Sequence, residues 1–137
     1  MQVMIVRMDG RKAAAAIMQQ LARHKRGNFS FCCSFYYDDD SVFLESVAQQ
    51  LGMVHMECDG FTSRLQRVCR RLEQCGILAG TLRSCHADYL GEPRVLKRYE
   101  FSDHSYAMRL APDLWPNYTP MGRTEVELEI LLERAYP

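Results

Sequence analysis

The chain has 137 residues, 47% of them hydrophobic and 25% charged, proportions that suit one folded domain and exclude disordered, collagenous and coiled-coil repeat classes. Its 17 basic residues balance its 17 acidic ones, so no global field draws nucleic acid or an anionic membrane, and any such partner must be met by a local patch. The longest apolar runs, residues 1–6 and 13–18, fall short of the roughly 18–20 residues of a membrane span, and Arg7 and Asp9 follow the first run at once. No secretory signal is legible there, so a soluble intracellular protein in the cytoplasm or nucleus, without a membrane partner, is expected.

In chain order, the first predicted element is a helix from Asp9. Asp9 can cap it, four alanines favour it, and Ala14, Ile17, Met18 and Leu21 supply an apolar stripe before Gly27 and Asn28 stop it. Residues 29–37, FSFCCSFYY, carry no helical period and read as a short buried strand. Asp38, Asp39 and Asp40 then precede the helical pattern VFLESVAQQLG, where acids suit a first turn better than a calcium loop lacking further ligands. Val42, Phe43, Val47, Ala48 and Leu51 form its expected buried face, and Gly52 ends it.

A third helix is expected in FTSRLQRVCRRLEQ. Phe61, Leu65, Val68 and Leu72 fall on one stripe, while Arg64, Arg67 and Arg71 form a ridge on another side, with Gln66 and Arg70 beside them. ILAGTLRS and VLKRYEFS then read as a hairpin, with Val95, Lys97, Tyr99 and Phe101 alternating against Leu96, Arg98 and Glu100. Beyond Asp103 the character changes: Pro112, Pro116 and Pro120 interrupt an aromatic stretch holding Trp115 and Tyr118. TEVELEILLERAY closes the chain, and its alternating Val126, Leu128, Ile130 and Leu132 would suit a strand. Its Glu and Leu content, and a Thr124 cap with Glu127 three residues on, favour a helix.

The six cysteines include no CxxC pair, and a reducing compartment leaves them as thiols. His55, Cys58, Cys85 and His86 are the only loose metal set, and the adjacent Cys85 and His86 diverge, so no metal or other cofactor is expected. No nucleophile elbow or glycine-rich phosphate loop is present, and the histidines are scattered, which points away from an enzyme.

The order helix, strand, helix, helix, hairpin resembles the winged-helix variant of the helix-turn-helix. The residues carrying the resemblance are VAQQLG, RLQRVCRRLEQCGIL and the hairpin up to YEF, and it covers residues about 9 to 102. It implies an α+β fold: a winged-helix core over residues 1–102 with three helices and a small antiparallel β-hairpin wing. Residues 103–137 then form a C-terminal extension ending in a helix, which packs on the core or mediates oligomerisation. One departure stands out: residues 53–60 intervene where a compact helix-turn-helix has about three or four. Either the third helix starts earlier, or the turn is enlarged.

The resemblance further implies a DNA-binding or transcription-regulatory protein whose third helix and wing contact duplex DNA. Thr62, Ser63, Arg64, Arg67 and Arg71 are then groove-facing, with Arg94, Lys97 and Arg98 on the wing. The alternative is a winged-helix protein–protein interaction module, a subunit of a larger assembly. It would meet a protein partner, or itself as a dimer, through Trp115, Val126, Ile130 and Leu131. Charge fits either reading: residues 1–98 hold 14 basic and 10 acidic residues, and residues 99–137 hold 3 and 7.

Overall fold

The computed structural model describes residues 8–23, 27–32, 41–53, 60–85, 94–103 and 124–137. Among them are four helices and one antiparallel sheet: α1 Gly10–Arg23, β1 Asn28–Cys32, α2 Ser41–Gln50, α3 Phe61–Gln74, β2 Leu78–Cys85, β3 Arg94–Phe101 and α4 Thr124–Ala135. The fold class is α+β.

Asp9 caps α1 as its sequence suggests, its Oδ1 accepting from the Lys12 amide at 3.0 Å. Helices α2 and α3 end alike, each with a glycine at positive φ. After α2, Gly52 (φ 69°) lets the Met53 amide reach the Ala48 carbonyl at 2.8 Å; after α3, Gly76 (φ 76°) lets the Ile77 amide reach the Leu72 carbonyl at 2.9 Å. The second closure turns the chain directly into β2 and buries Ile77.

The sheet order is β1-β3-β2, with β3 in the middle. Phe29 pairs with Tyr99 and Phe31 with Lys97; Leu78 pairs with Phe101, Gly80 with Tyr99 and Leu82 with Lys97. Opposed residues share a face, so these make the inner face, and Ser30, Thr81, Leu96 and Arg98 make the outer one. Phe29 stacks on Phe43 of α2, ring centroids 4.0 Å apart, and meets Phe31 edge to face. Around this aromatic seam pack Ile17, Met18 and Leu21 of α1, Leu44 and Val47 of α2, and Phe61, Leu65 and Leu72 of α3, each side chain contributing about 1.5–3 kcal/mol by burial.

The buried face of α2 is rotated from the one expected. Val42 is 74% exposed and Leu44 is buried, so the stripe is Phe43, Leu44, Val47 and Ala48. Both registers satisfy a helical period and both include Phe43, which stacks on Phe29; burial of Leu44 in place of Val42 distinguishes the observed one. Helix α3 begins at Phe61 as its period requires, so ten residues, 51–60, separate it from α2. The C-terminal segment is helical, with Leu131, Leu132 and Ala135 in the same core as α1 and α3. None of the described helices is long and apolar enough to cross a membrane. The acidic run 38–40, the proline-rich stretch 112–120 and Trp115 lie outside the described residues, as do His55, Cys58 and His86.

Candidate nucleic-acid interface

Helix α3 divides its circumference cleanly. Phe61, Leu65, Val68, Cys69 and Leu72 are buried, and Ser63, Arg67, Arg70, Arg71 and Gln74 are exposed. Positions 67, 70, 71 and 74 follow the spacing of neighbours on one helix face, so the three arginines are presented together. Burial of the opposite stripe fixes this face outward.

The structure redistributes the expected ridge. Arg64 is half-buried beside Gly60, and its Nε is shielded with no partner among the described residues. Thr62 is also half-buried and already has an interaction partner, whereas Ser63 is exposed. Arg71 is taken up by the C-terminal helix: its Nε donates to the Ala135 carbonyl and its guanidinium lies 4.4 Å from the centroid of the Tyr136 ring. Arg67 is exposed. Arg70, noted in the sequence only as a neighbour of the ridge, is its exposed companion.

The wing residues separate as well. Arg94 opens β3, and Arg98 lies on the outer face of the sheet. Lys97 lies on the inner face, where its Nζ pairs with Glu73 of α3 at 3.2 Å and sits 5.7 Å from the Tyr99 ring centroid. Gly80 makes room for this pair, because a Cβ there would collide with the Glu73 carboxylate and the Lys97 stem. Lys97, expected on the wing with Arg94 and Arg98, is thus paired to α3. Between α3 and the inner sheet face opens a cleft of about 390 Å³ with Phe31, Leu82 and Tyr99 as apolar walls and Arg70 at its rim beside the Glu73–Lys97 pair.

Helix α4 packs chiefly against α1, and only its C-terminal end meets α3. Two of its acids are taken by α1: Glu129 and Glu133 both pair with Arg11, the Glu133 contact at 2.9 Å. Its Arg134 instead joins Arg67, Arg70 and Arg71 along a second cleft, of about 560 Å³, that ends at Pro137. Of the residues expected to meet a protein partner, Leu131 is 4% exposed and packs in the core, Ile130 is 55% exposed, and Val126 lies in the first turn of α4.

Sequence reasoning missed Arg134 and the Glu73–Lys97 pair, since each depends on contacts between distant segments. The 67, 70, 71, 74 spacing was available as a signal for Arg70. Comparison of the chain with protein-family models, with curated proteins and with solved structures finds no match in any of the three.

Proposed function

We propose that the chain is a winged-helix domain that binds duplex DNA, with α3 as the helix that approaches the groove and the β2–β3 hairpin as the wing. The element order and the β1-β3-β2 sheet are compatible with that arrangement. The observation that carries the reading is the exposed face of α3. Arg67 and Arg70 have no ion-pair partner among the described residues, while Glu73, the one acid on the helix, is held by Lys97. Guanidinium groups in this state pair with phosphate or bind guanine bidentately.

The test is titration of a labelled duplex at several salt concentrations with wild type and with Arg67→Gln, Arg70→Gln. Neutralising two phosphate contacts flattens the plot of log affinity against log salt by about 2. Weak binding that the double variant leaves unchanged defeats the reading. The alternative, an assembly module docking through the C-terminal segment, is supported by exposed Ile130, but Leu131 is not free to contribute. Light scattering on Ile130→Asp tests its homodimeric form, and an unchanged mass at all concentrations removes self-association through that segment.

A further inference from the structure

We infer that the cleft between α3 and the end of α4 is a phosphate-binding site in which Arg134 acts with Arg67, Arg70 and Arg71. For its duplex form the inference rests on α3 being the DNA-facing helix; the cleft chemistry stands without it. Four guanidinium groups line one cleft, and no carboxylate side chain lines it among the described residues. That concentration of like side-chain charges is self-repelling, and two of the acids of α4, Glu129 and Glu133, are engaged by Arg11 of α1. An arriving anion relieves it instead.

The cleft is also prepared for such a guest. Arg71 is fixed by the Ala135 carbonyl at its Nε and by the Tyr136 ring on its face, and its terminal N–H groups have no partner among the described residues. The carbonyls at the C-terminal end of α4 would repel an anion, but Ala135 O accepts from Arg71 and Arg134 O receives the Cys75 thiol at 3.9 Å. Arginine is the residue suited to phosphate oxygens, since its planar fork donates two parallel hydrogen bonds. The phosphate can belong to a nucleic-acid backbone or to a free polyphosphate.

Two probes on the full chain separate these sources: a labelled duplex titrated against salt, and inorganic tripolyphosphate followed by calorimetry. Arg134→Gln and Arg134→Lys are compared, with helix content and unfolding midpoint recorded to show that α4 stays docked. A flattening of the duplex salt plot by about 0.9 in Arg134→Gln, recovered in Arg134→Lys, supports the site with backbone phosphate as its ligand. A duplex plot that does not move, or no duplex binding at all, together with an approximately tenfold loss of tripolyphosphate affinity in Arg134→Gln, supports the site with free phosphate. Absence of duplex binding in wild type defeats the proposed function but not the cleft. If neither probe distinguishes Arg134→Gln from wild type, the inference is wrong.

Discussion

Helices α3 and α4 share one core, α4 packing chiefly against α1, but they are held there by different means. Helix α3 buries Phe61, Leu65, Val68, Cys69 and Leu72, whereas the described side chains of α4 bury Leu131, Leu132 and Ala135. At about 1.5–3 kcal/mol per large side chain, α4 has roughly half the apolar anchorage of α3. It adds polar ties: Arg11 to Glu129 and Glu133, and Arg71 to the backbone and ring at its end. The difference explains why α3 can expose a face of one charge sign while α4 must sort its charges. A helix secured by a continuous apolar stripe has its outer face free; one secured partly by charge pairs has spent some of that face on docking.

The largest test of this contrast is a core truncation in each helix. Leu72→Ala should lower unfolding free energy in urea by about 2–5 kcal/mol within a single transition. Leu132→Ala should fall toward the lower end of that range, because a surface-laid helix relaxes around the gap. An early separate transition in Leu132→Ala would show that α4 undocks by itself and that its polar ties do not couple it to the core.

A second test uses pH. Burial holds the Cys69 thiol on α3 above its usual range, with Glu73 adding to the effect, and burial likewise raises the Tyr136 phenol against the opposing charge of Arg71. Both groups are acids whose neutral form is favoured in the fold. Their contribution is therefore complete below the unfolded-state pKa and is lost as pH rises. Above about pH 8.5, where an unfolded thiol ionises, stability should fall by up to about 1.4 kcal/mol per pH unit on account of Cys69. Tyr136 adds to the fall above about pH 10. Cys69→Ala should remove the first part of the slope. An unchanged slope in that variant would mean that the thiol is accessible to water in the fold.

The end of α4 can be probed from α1. A Cβ at Gly10 would stand 2.8 Å from Cε1 of Tyr136, a ring already held against Arg71. Ala in place of Gly in a helix ordinarily gains about 0.5–1 kcal/mol, but overpacking costs about 1–3 kcal/mol, so Gly10→Ala should be net destabilising by about 1 kcal/mol in thermal or urea unfolding. A stabilised variant would show that Tyr136 yields without cost, and that the α4 end is the looser of the two regions by more than burial alone suggests.

These contacts also mark what was legible in the sequence. Helices α1 and α3 and the hairpin follow from local spacing, because each buries a stripe that its own residues spell out. Helix α2 is legible but its face is rotated, since Val42, Phe43 and Leu44 are consecutive apolar residues and only packing in the core sets Leu44 inward and Val42 outward. In α4 the alternation of Val126, Leu128, Ile130 and Leu132 competes with the 128, 131, 132, 135 stripe, and packing on α1 and α3 realises the second. The arginine ridge was visible as a spacing. Which charges near it are free was not, because Arg71 is engaged by a carbonyl 64 residues away and Glu73 of α3 is matched to Lys97 of β3.

The smallest expected effect concerns that last pair, and it sharpens the contrast between free and committed charge on α3. The Lys97 and Glu73 side chains are about one quarter to one third exposed, so their coupling contributes only about 0.2–1 kcal/mol to stability. The consequence for binding is larger in meaning than in size. Glu73 shares the sheet-side cleft with Arg70 and stands one turn from it, so a Glu73 carboxylate released from Lys97 would turn to Arg70. Lys97→Met should thus weaken duplex binding even though Lys97 itself contacts no phosphate, and adding Glu73→Gln should restore it, because the competing acid is then gone. If the double variant binds duplex as weakly as Lys97→Met alone, Lys97 contacts DNA directly and belongs with Arg67 and Arg70. Recovery in the double variant makes Lys97 a guard of the arginine face, holding its one acid aside.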